Sequence, residues 1–319
     1  MIPPVAHCSL GDPCGVGPEV LAHVLAGDPA GRAPVFLQVH GHADLLLDAI
    51  ARVDPALPAT LAALEGMTWS AAPPDGRPGD APPIGRYDPA WGAYGLRSLE
   101  AATRAALGGG HALVTGPLSK RSFIDGGVGP VGHTEFLARA AGISEDRVLM
   151  LFDADRLRVA TLTRHIPLAA VTSLVHPDVA LRAAALVADH LRPRGIEAPR
   201  IAVACLDPHC GEWGGLATTD LALREAFART GARLYGPLAA DTLFLPANLD
   251  RFDAVLCWYH DQAMIPIKMA AFDSAANVTL GLPVLRTSPA HGPGYDIAGK
   301  GIADAGSMRR AMALALGGG

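Results

Sequence analysis

Three histidines stand where a metal could be gripped. His165 lies in TRHIPL, His209 in DPHCGE and His260 in WYHDQ. Each follows directly on a short apolar run that reads as a strand, over residues 159–163, 201–205 and 254–258. A side chain just past a strand end projects into the crevice above an α/β sheet. Three neutral imidazoles meeting there would suit Zn²⁺, Co²⁺ or Ni²⁺ and leave open positions for a substrate. Spacing alone does not require them to meet. A fourth histidine, His133 in GHTEF, stands in equally unusual local sequence. By contrast His7, His23, His40, His42, His111, His176 and His190 sit in no polar stretch and read as structural or exposed.

A second cluster runs through YHDQAMIPIKMAAFDSAANVTLGLPVLRTS. It holds His260, Asp261, Gln262, Lys268, Asn277 and Arg286 in otherwise apolar sequence. A solvated face would carry charge at helical spacing, and this segment does not. Lys, Asn and Arg converging on one place would suit a phosphate or carboxylate, the Arg as a bidentate fork and the Lys as a point charge.

Two glycine-rich segments complete the candidates. GDPCGVGPEV lacks both the GxGxxG spacing and the Lys-Ser/Thr ending of a phosphate loop. It reads either as a tight strand–helix turn or as backbone amides near an anion at a helix start. HGPGYDIAGKGIAD carries His291 and Asp296. It reads as a loop before a helix from about residue 303, or as a cofactor loop with Asp296 near a ribose or adenine.

These residues need a scaffold that gathers strand ends. Apolar runs near residues 5–10, 34–39, 112–115 and 148–152 join the three strands above. Between them, residues 19–25, 43–51, 94–107, 177–190 and 220–230 have helical spacing. Strand and helix in alternation predict an α/β fold with mainly parallel sheets. Residues 73–89, rich in Pro, Gly and Asp, read as a surface loop.

Composition excludes several classes. The 319 residues suggest one large or two intimate domains, and 50% hydrophobic content leaves ample core. A net charge of −5 gives no footprint for nucleic acid. No uninterrupted apolar stretch of membrane length occurs, and the N-terminus lacks the pattern of a secretory signal. Five cysteines without zinc-knuckle spacing read as reduced thiols in a cytoplasmic protein. The C-terminal Gly-Gly-Gly reads as a frayed tail or an appended remnant. Scarce residues are informative: the chain has three Lys (Lys120, Lys268, Lys300), two Asn (Asn248, Asn277) and two Gln (Gln38, Gln262).

Taken in order, GDPCGVGPE, VTGPLSK, GHTEF, HIPL, DPHCGE, GPLAADTLF, YHDQAMIPIK, NVTLGLPVLRTS and HGPGYDIAGKGIAD resemble the 4-hydroxythreonine-4-phosphate dehydrogenase (PdxA) family of pyridoxal phosphate synthesis. The likeness spans nearly the whole chain. It implies a two-domain α/β fold like that of isocitrate and isopropylmalate dehydrogenases, with a cleft between domains. Residues 1–130 plus 270–319 would form the cofactor-side domain. Residues 131–269 would form the second, with the metal ligands and dimer contacts.

The resemblance also implies an activity. Family enzymes oxidise the secondary alcohol of 4-phosphohydroxy-L-threonine with NAD, and the β-keto acid loses CO₂ to give 3-amino-2-oxopropyl phosphate. His165, His209 and His260 match the three ligands of a divalent metal (Zn, Mg or Co), one of them from the partner subunit of a homodimer. His133, Thr134, Lys268, Asn277 and Arg286 match substrate-binding positions. His291, Gly292, Asp296 and Gly299 fall in the NAD-binding loop, with NADP the alternative cofactor. Asp241 and Asp261 are candidates to orient the imidazoles. Lys268 would act as a cation beside an anion or as a proton carrier, the first being favoured.

Departures concern substrate and cofactor geometry. CGEWGGLA places Gly215 where the family has a histidine, and Trp213 adds bulk. Pro293-Gly294 replaces a usual Thr-Ala. A related dehydrogenase of a sugar-acid phosphate or of an aromatic cis-dihydrodiol carboxylate is the alternative activity. A non-catalytic ligand-binding scaffold is the alternative of another class.

Overall fold

A computed structural model describes residues 5–26, 35–53, 67–211, 217–229 and 233–317. Trp213 and Gly215 lie outside the described residues. In chain order the elements are β1 (Val5–Ser9), α1 (Gly17–Ala26), β2 (Val35–His40), α2 (Ala43–Val53), β3 (Met67–Ala71), α3 (Pro89–Gly109), β4 (Ala112–Thr115), α4 (Lys120–Asp125), α5 (His133–Ala140), β5 (Leu149–Ala154), β6 (Leu157–Thr161), α6 (Leu168–Val171) and α7 (Pro177–Leu191). They continue as β7 (Ile201–Ala204), α8 (Ala217–Arg229), β8 (Leu234–Leu238), α9 (Ala240–Leu243), α10 (Pro246–Leu249), β9 (Ala254–Cys257), α11 (His260–Ala271), β10 (Ala276–Leu280), β11 (Arg286–Pro289) and α12 (Gly306–Ala315). The fold is α/β, as the alternation predicts.

The chain divides into two compact units. Unit 1 comprises residues 1–148, 276–278 and 282–319; unit 2 comprises residues 149–275 and 279–281. The first boundary therefore falls after residue 148, not after 130. The physical reason is the packing of α5. Its Leu137 is buried in a cluster with Leu96, Leu99, Leu113 and Phe123 of unit 1.

In unit 1, strands run β3-β2-β1-β4-β11, and every recorded pairing is parallel. The long α3 begins sharply. Asp88 accepts hydrogen bonds from the N–H groups of Ala90 and Trp91, and Pro89 occupies the first turn. The helix ends at Gly110 with φ 66°. Small residues let it lie close to the end of β1: a Cβ on Gly95 would come within 2.7 Å of the Gly11 carbonyl oxygen.

Three histidines read as ordinary also meet here. His7 Nδ1 lies 3.1 Å from His40 Nε2, and His7 Nε2 lies 3.1 Å from His111 Nδ1. They form a row, with His7 and His40 buried and His111 half-buried.

In unit 2 the order is β5-β6-β9-β7-β8. β5 and β6 form an antiparallel hairpin, and β6, β9, β7 and β8 pair in parallel. The C-terminal ends of those four parallel strands carry His165, His260, His209 and Asp241. β8 has no counterpart among the predicted strands, because LYGPL breaks its apolar run with Gly-Pro. β3, β10 and β11 are likewise short strands that the pattern does not announce.

Candidate active site

In unit 2 hydrogen bonds within the chain tie the strand ends together. Past β6, the backbone N–H and the hydroxyl of Thr163 both donate to the Trp258 carbonyl, at 3.2 and 2.5 Å. Past β7, the Cys205 N–H donates to the Leu238 carbonyl at the end of β8, at 2.8 Å. Trp258 itself is fully buried. The loops that follow therefore start from a common frame.

From that frame His165 and His260 come together. Their ring centroids are 5.4 Å apart and inclined at 49°. His260 opens α11, and its Nδ1 lies 2.7 Å from Asp261 Oδ1. An imidazole that donates through Nδ1 to a carboxylate presents Nε2 as a lone-pair donor, the arrangement of many metal-bound histidines.

His209 sits in a tight turn after β7. His209 and Cys210 adopt φ 54° and 58°. Two successive non-glycine residues in left-handed conformation are rare and mark a backbone held by its surroundings. The turn is closed by the Cys210 N–H donating to the Asp207 carbonyl at 3.1 Å and by the Cys205 thiol donating to the same oxygen at 3.0 Å.

A pocket of about 510 Å³ opens beside this turn, lined by Asp207, His209, Asp241, Tyr259, Asp261 and Gln262 among others. So Asp241 and Asp261 share a pocket with His209, and Asp261 touches His260. Among the described residues, no three His, Cys, Asp or Glu side chains converge tightly enough to hold a metal by themselves. Lys268 lies two turns along α11, exposed, with its ammonium 6.0 Å from the Phe272 ring centre.

In unit 1 a second set gathers at the end of β4. Arg286 on β11 pairs in register with Leu113 on β4. Its guanidinium is buried, 2% exposed, and Nη2 donates to the Thr115 hydroxyl at 2.7 Å. Burial pushes the Arg286 group down to about 9. His133 stands at the first position of α5, after Gly132, whose N–H donates to Glu135 Oε2 at 3.2 Å. Burial first, and then the Arg286 charge, hold the His133 imidazole down to about 3, so it is neutral. Its ring meets Phe123 edge-on at 5.3 Å. Thr134 is buried beside it in sequence.

Asn277 lies half-buried on β10. The buried atoms of this unit that have no hydrogen-bond partner among the described residues include His133 Nε2, Asn277 Oδ1 and His291 Nε2. Buried polar atoms are nearly always paired, so unpaired ones ask for a ligand or water.

The loop after β11 is held by the glycine turn after β1. Glu19 accepts from the N–H groups of Gly299 and Ala303, at 2.8 and 3.2 Å. The Val16 N–H donates to the Pro293 carbonyl at 2.7 Å. Tyr295 donates its hydroxyl proton to Asp12 Oδ2 at 2.6 Å, while Asp12 Oδ1 accepts from the Cys14 N–H at 2.9 Å. Amides of residues 14, 15 and 16 are thus engaged within the chain. GDPCGVGPEV is a tight turn that anchors the second loop, and not a cradle for an anion.

A Cβ on Gly15 would lie 2.5 Å from the Pro293 carbonyl oxygen, so glycine is required there. In the loop itself His291 Nδ1 contacts the Gly292 carbonyl at 2.9 Å. Gly292 and Asp296 are exposed, and a Cβ on Gly292 would meet open space. Gly299 takes φ 76°.

The family model described as pyridoxal phosphate biosynthetic protein PdxA matches residues 37–315. The chain belongs to the PdxA family. A 4-hydroxythreonine-4-phosphate dehydrogenase of Erythrobacter litoralis is 40% identical over 330 residues, covering 96% of this chain and 94% of that protein. A crystal structure of the enzyme of the same name from Burkholderia phymatum superposes with a TM-score of 0.75 at 33% identity, covering 99% of both chains. A terephthalate 1,2-cis-dihydrodiol dehydrogenase from Burkholderia xenovorans superposes at 0.66 with 28% identity, covering 98% of both chains.

Within this PdxA-family chain, the residues that sequence reading passes over are the ones that hold the candidates in place. Thr115, Thr163, Trp258 and Glu19 look unremarkable as letters. Of the holding residues, Gln262 alone carried a signal, its rarity.

Proposed function

We propose that this chain is an NAD-dependent 4-hydroxythreonine-4-phosphate dehydrogenase of vitamin B6 biosynthesis. It would oxidise 4-phosphohydroxy-L-threonine and release CO₂ to give 3-amino-2-oxopropyl phosphate. The observation that carries the reading is the set in unit 1. A buried guanidinium lies beside a neutral buried imidazole, and unit 1 also holds the unpaired atoms of His133 and Asn277. A guanidinium offers a planar donor fork that matches the oxygens of a phosphate. The substrate's phosphate would accept from Arg286, and His133 and Asn277 would contact the substrate's hydroxyl or amino group.

Three residues of unit 2 suit a divalent metal. Asp261 fixes the His260 tautomer, His165 stands beside that ring, and His209 lines the neighbouring pocket. His165, His209 and His260 would hold it, one of them supplied by the partner of a homodimer. When bound, zinc, magnesium or cobalt would polarise the substrate oxygen and steady the negative charge left by decarboxylation. Asp241 would orient the His209 side of the pocket, and Lys268 would act as a cation toward the substrate.

His291, Gly292, Asp296 and Gly299 would bind the nicotinamide cofactor, NAD or NADP, which accepts the hydride. The unpaired His291 Nε2 and the open space over Gly292 fit a ligand laid against that loop.

The homodimer is supported by α11 and the residue that caps its C-terminus, where Ile265, Met269 and Phe272 are 61, 84 and 73% exposed. Such a patch asks for a partner surface. No single described helix is long and apolar enough to cross a membrane. All five cysteines are free, which suits the cytoplasm.

The deciding experiment is NADH formation by purified protein with added divalent metal and each candidate substrate. Turnover of 4-phosphohydroxy-L-threonine is expected. Its absence, alongside brisk turnover of a sugar-acid phosphate or an aromatic cis-dihydrodiol carboxylate, would overturn the reading. The likeness to the dihydrodiol dehydrogenase is what keeps that second activity in the panel.

A further inference from the structure

Gln262 is one of two glutamines in the chain. Its carboxamide is used at both ends. Oε1 accepts from the Trp258 N–H at 2.8 Å, and Nε2 donates to the Cys205 carbonyl at 2.8 Å. The first contact reaches the residue just past β9, and the second reaches the residue just past β7, 57 positions away in sequence. Those two points are where the chain departs toward His260 and toward His209.

The backbone around Gln262 is adapted to the same end. Pro266 sits inside α11 and has no N–H, so the carbonyl four residues back, that of Gln262, loses its helical donor. The Cys257 thiol takes that place, its Sγ 3.6 Å from the Gln262 oxygen. The helix is thereby fastened to the end of β9 through both the backbone and the side chain of one residue. The Trp258 carbonyl also accepts both donors of Thr163, two residues before His165. Cys205 in turn donates to Leu238, which leads to Asp241. Four loops thus start from a frame with one side chain at its centre.

We infer that Gln262 is a positioning residue for the proposed active site. Its carboxamide sets the spacing between the His209 turn and the start of α11, and so sets the geometry in which those histidines meet a divalent cation. A glutamine is suited to this because it offers a donor and an acceptor on one planar group. A glutamate would keep the acceptor and set an anionic oxygen against the Cys205 carbonyl. A methionine would fill the space and make neither contact. The inference rests on the proposed metal-dependent reading for its chemical consequence, and on the hydrogen bonds alone for its structural one.

The test uses the full-length protein and three variants: Gln262→Met, Gln262→Glu, and Val187→Ala. Val187 is a buried position on α7 and serves as a matched loss of stability. Two quantities are read for each. Amide hydrogen exchange in the metal-free protein reports the peptides around residues 205–211 and 256–261. Cobalt(II) titration, followed by its visible spectrum, reports affinity and coordination geometry.

Gln262→Met is expected to speed exchange in both peptides together and to weaken cobalt binding at least tenfold with an altered spectrum. Gln262→Glu is expected to speed the 205–211 peptide while sparing 256–261. Val187→Ala is expected to keep the wild-type spectrum and affinity. If Gln262→Met leaves both peptides as in wild type, the positioning role is overturned. If exchange responds as expected but cobalt affinity and spectrum do not, the role in setting metal geometry is overturned. If wild-type protein takes up no cobalt, the metal-dependent reading fails, while the exchange data still judge the crosslink.

Discussion

Two groups of histidines occupy this chain, one in each unit, and they are built in opposite ways. In unit 1, His7, His40 and His111 form a row joined ring to ring by contacts of 3.1 Å. His7 comes from within β1 and His40 from the last position of β2, and both are buried. Burial, then the neighbouring rings, hold His7 below its ordinary range and His40 down to about 4. Each nitrogen that meets another ring is engaged inside the row.

In unit 2, His165 and His260 lie past strand ends, and Asp261 engages His260 through Nδ1 alone among the contacts described. The same side chain thus serves as packing in one place and, in the proposed function, as a metal ligand in the other. What separates the two is position on the sheet. A histidine within a strand must be satisfied by its neighbours; one past the strand end can face a guest.

The contrast can be broken most forcefully by exchanging which group is altered. His260→Ala is expected to lower kcat/KM by about 10³-fold or more, the scale of losing a metal or its tautomer control. The thermal midpoint should move little, because the residue is part-exposed. Steady-state kinetics beside a melting curve checks this. A variant that keeps a tenth of the activity would erase the distinction.

Next in size is acid sensitivity, which belongs to the buried row. The unfolded chain takes up protons on its histidines near pH 6.5, whereas folded His40 resists until about pH 4. Stability from this residue is therefore full above about pH 6.5 and is lost as pH falls toward 4, by on the order of 3 kcal/mol. His133, held to about 3, and His190, held to about 4, act in the same direction. Urea unfolding at pH 7.5 and 4.5 should show a smaller acid loss for His40→Asn than for wild type, by about 2 kcal/mol. An unchanged loss would mean the row is not titrating.

Arg286→Lys sharpens the comparison within unit 1. It keeps the charge and loses the planar fork. KM for the phosphorylated substrate should rise about 10- to 100-fold, equivalent to about 1.4–2.8 kcal/mol, with KM for NAD nearly unchanged. Equal effects on both would argue against a phosphate at Arg286.

The smallest expected effect is at Tyr295→Phe, which removes the hydroxyl that donates to Asp12. A buried carboxylate would lose one donor, for a loss of about 1–2 kcal/mol in stability. KM for NAD should rise a fewfold, with the substrate KM preserved.

Much of this was legible in the residues. The alternation of apolar runs announced an α/β fold, and His165, His209 and His260 announced themselves by following strands. Asn277 and Lys268 were marked by the rarity of their types. The row of His7, His40 and His111 was not legible, because its members are 33 and 104 residues apart and only sheet register brings them together. The division after residue 148 was hidden for a similar reason. Leu137 looks like any amphipathic leucine until Phe123 and Leu96 are seen to enclose it. Thr163 and Glu19 act through backbone groups, which leave no pattern in side-chain chemistry.

The most direct test counts metal ions. Cobalt(II) equilibrium dialysis on wild type, His260→Ala and His7→Asn compares the two histidine groups in one measurement. The expected result is one ion per chain in wild type, none retained by His260→Ala, and one retained by His7→Asn. An ion kept by His260→Ala, or lost by His7→Asn, would contradict the assignment of the metal to the strand ends of unit 2.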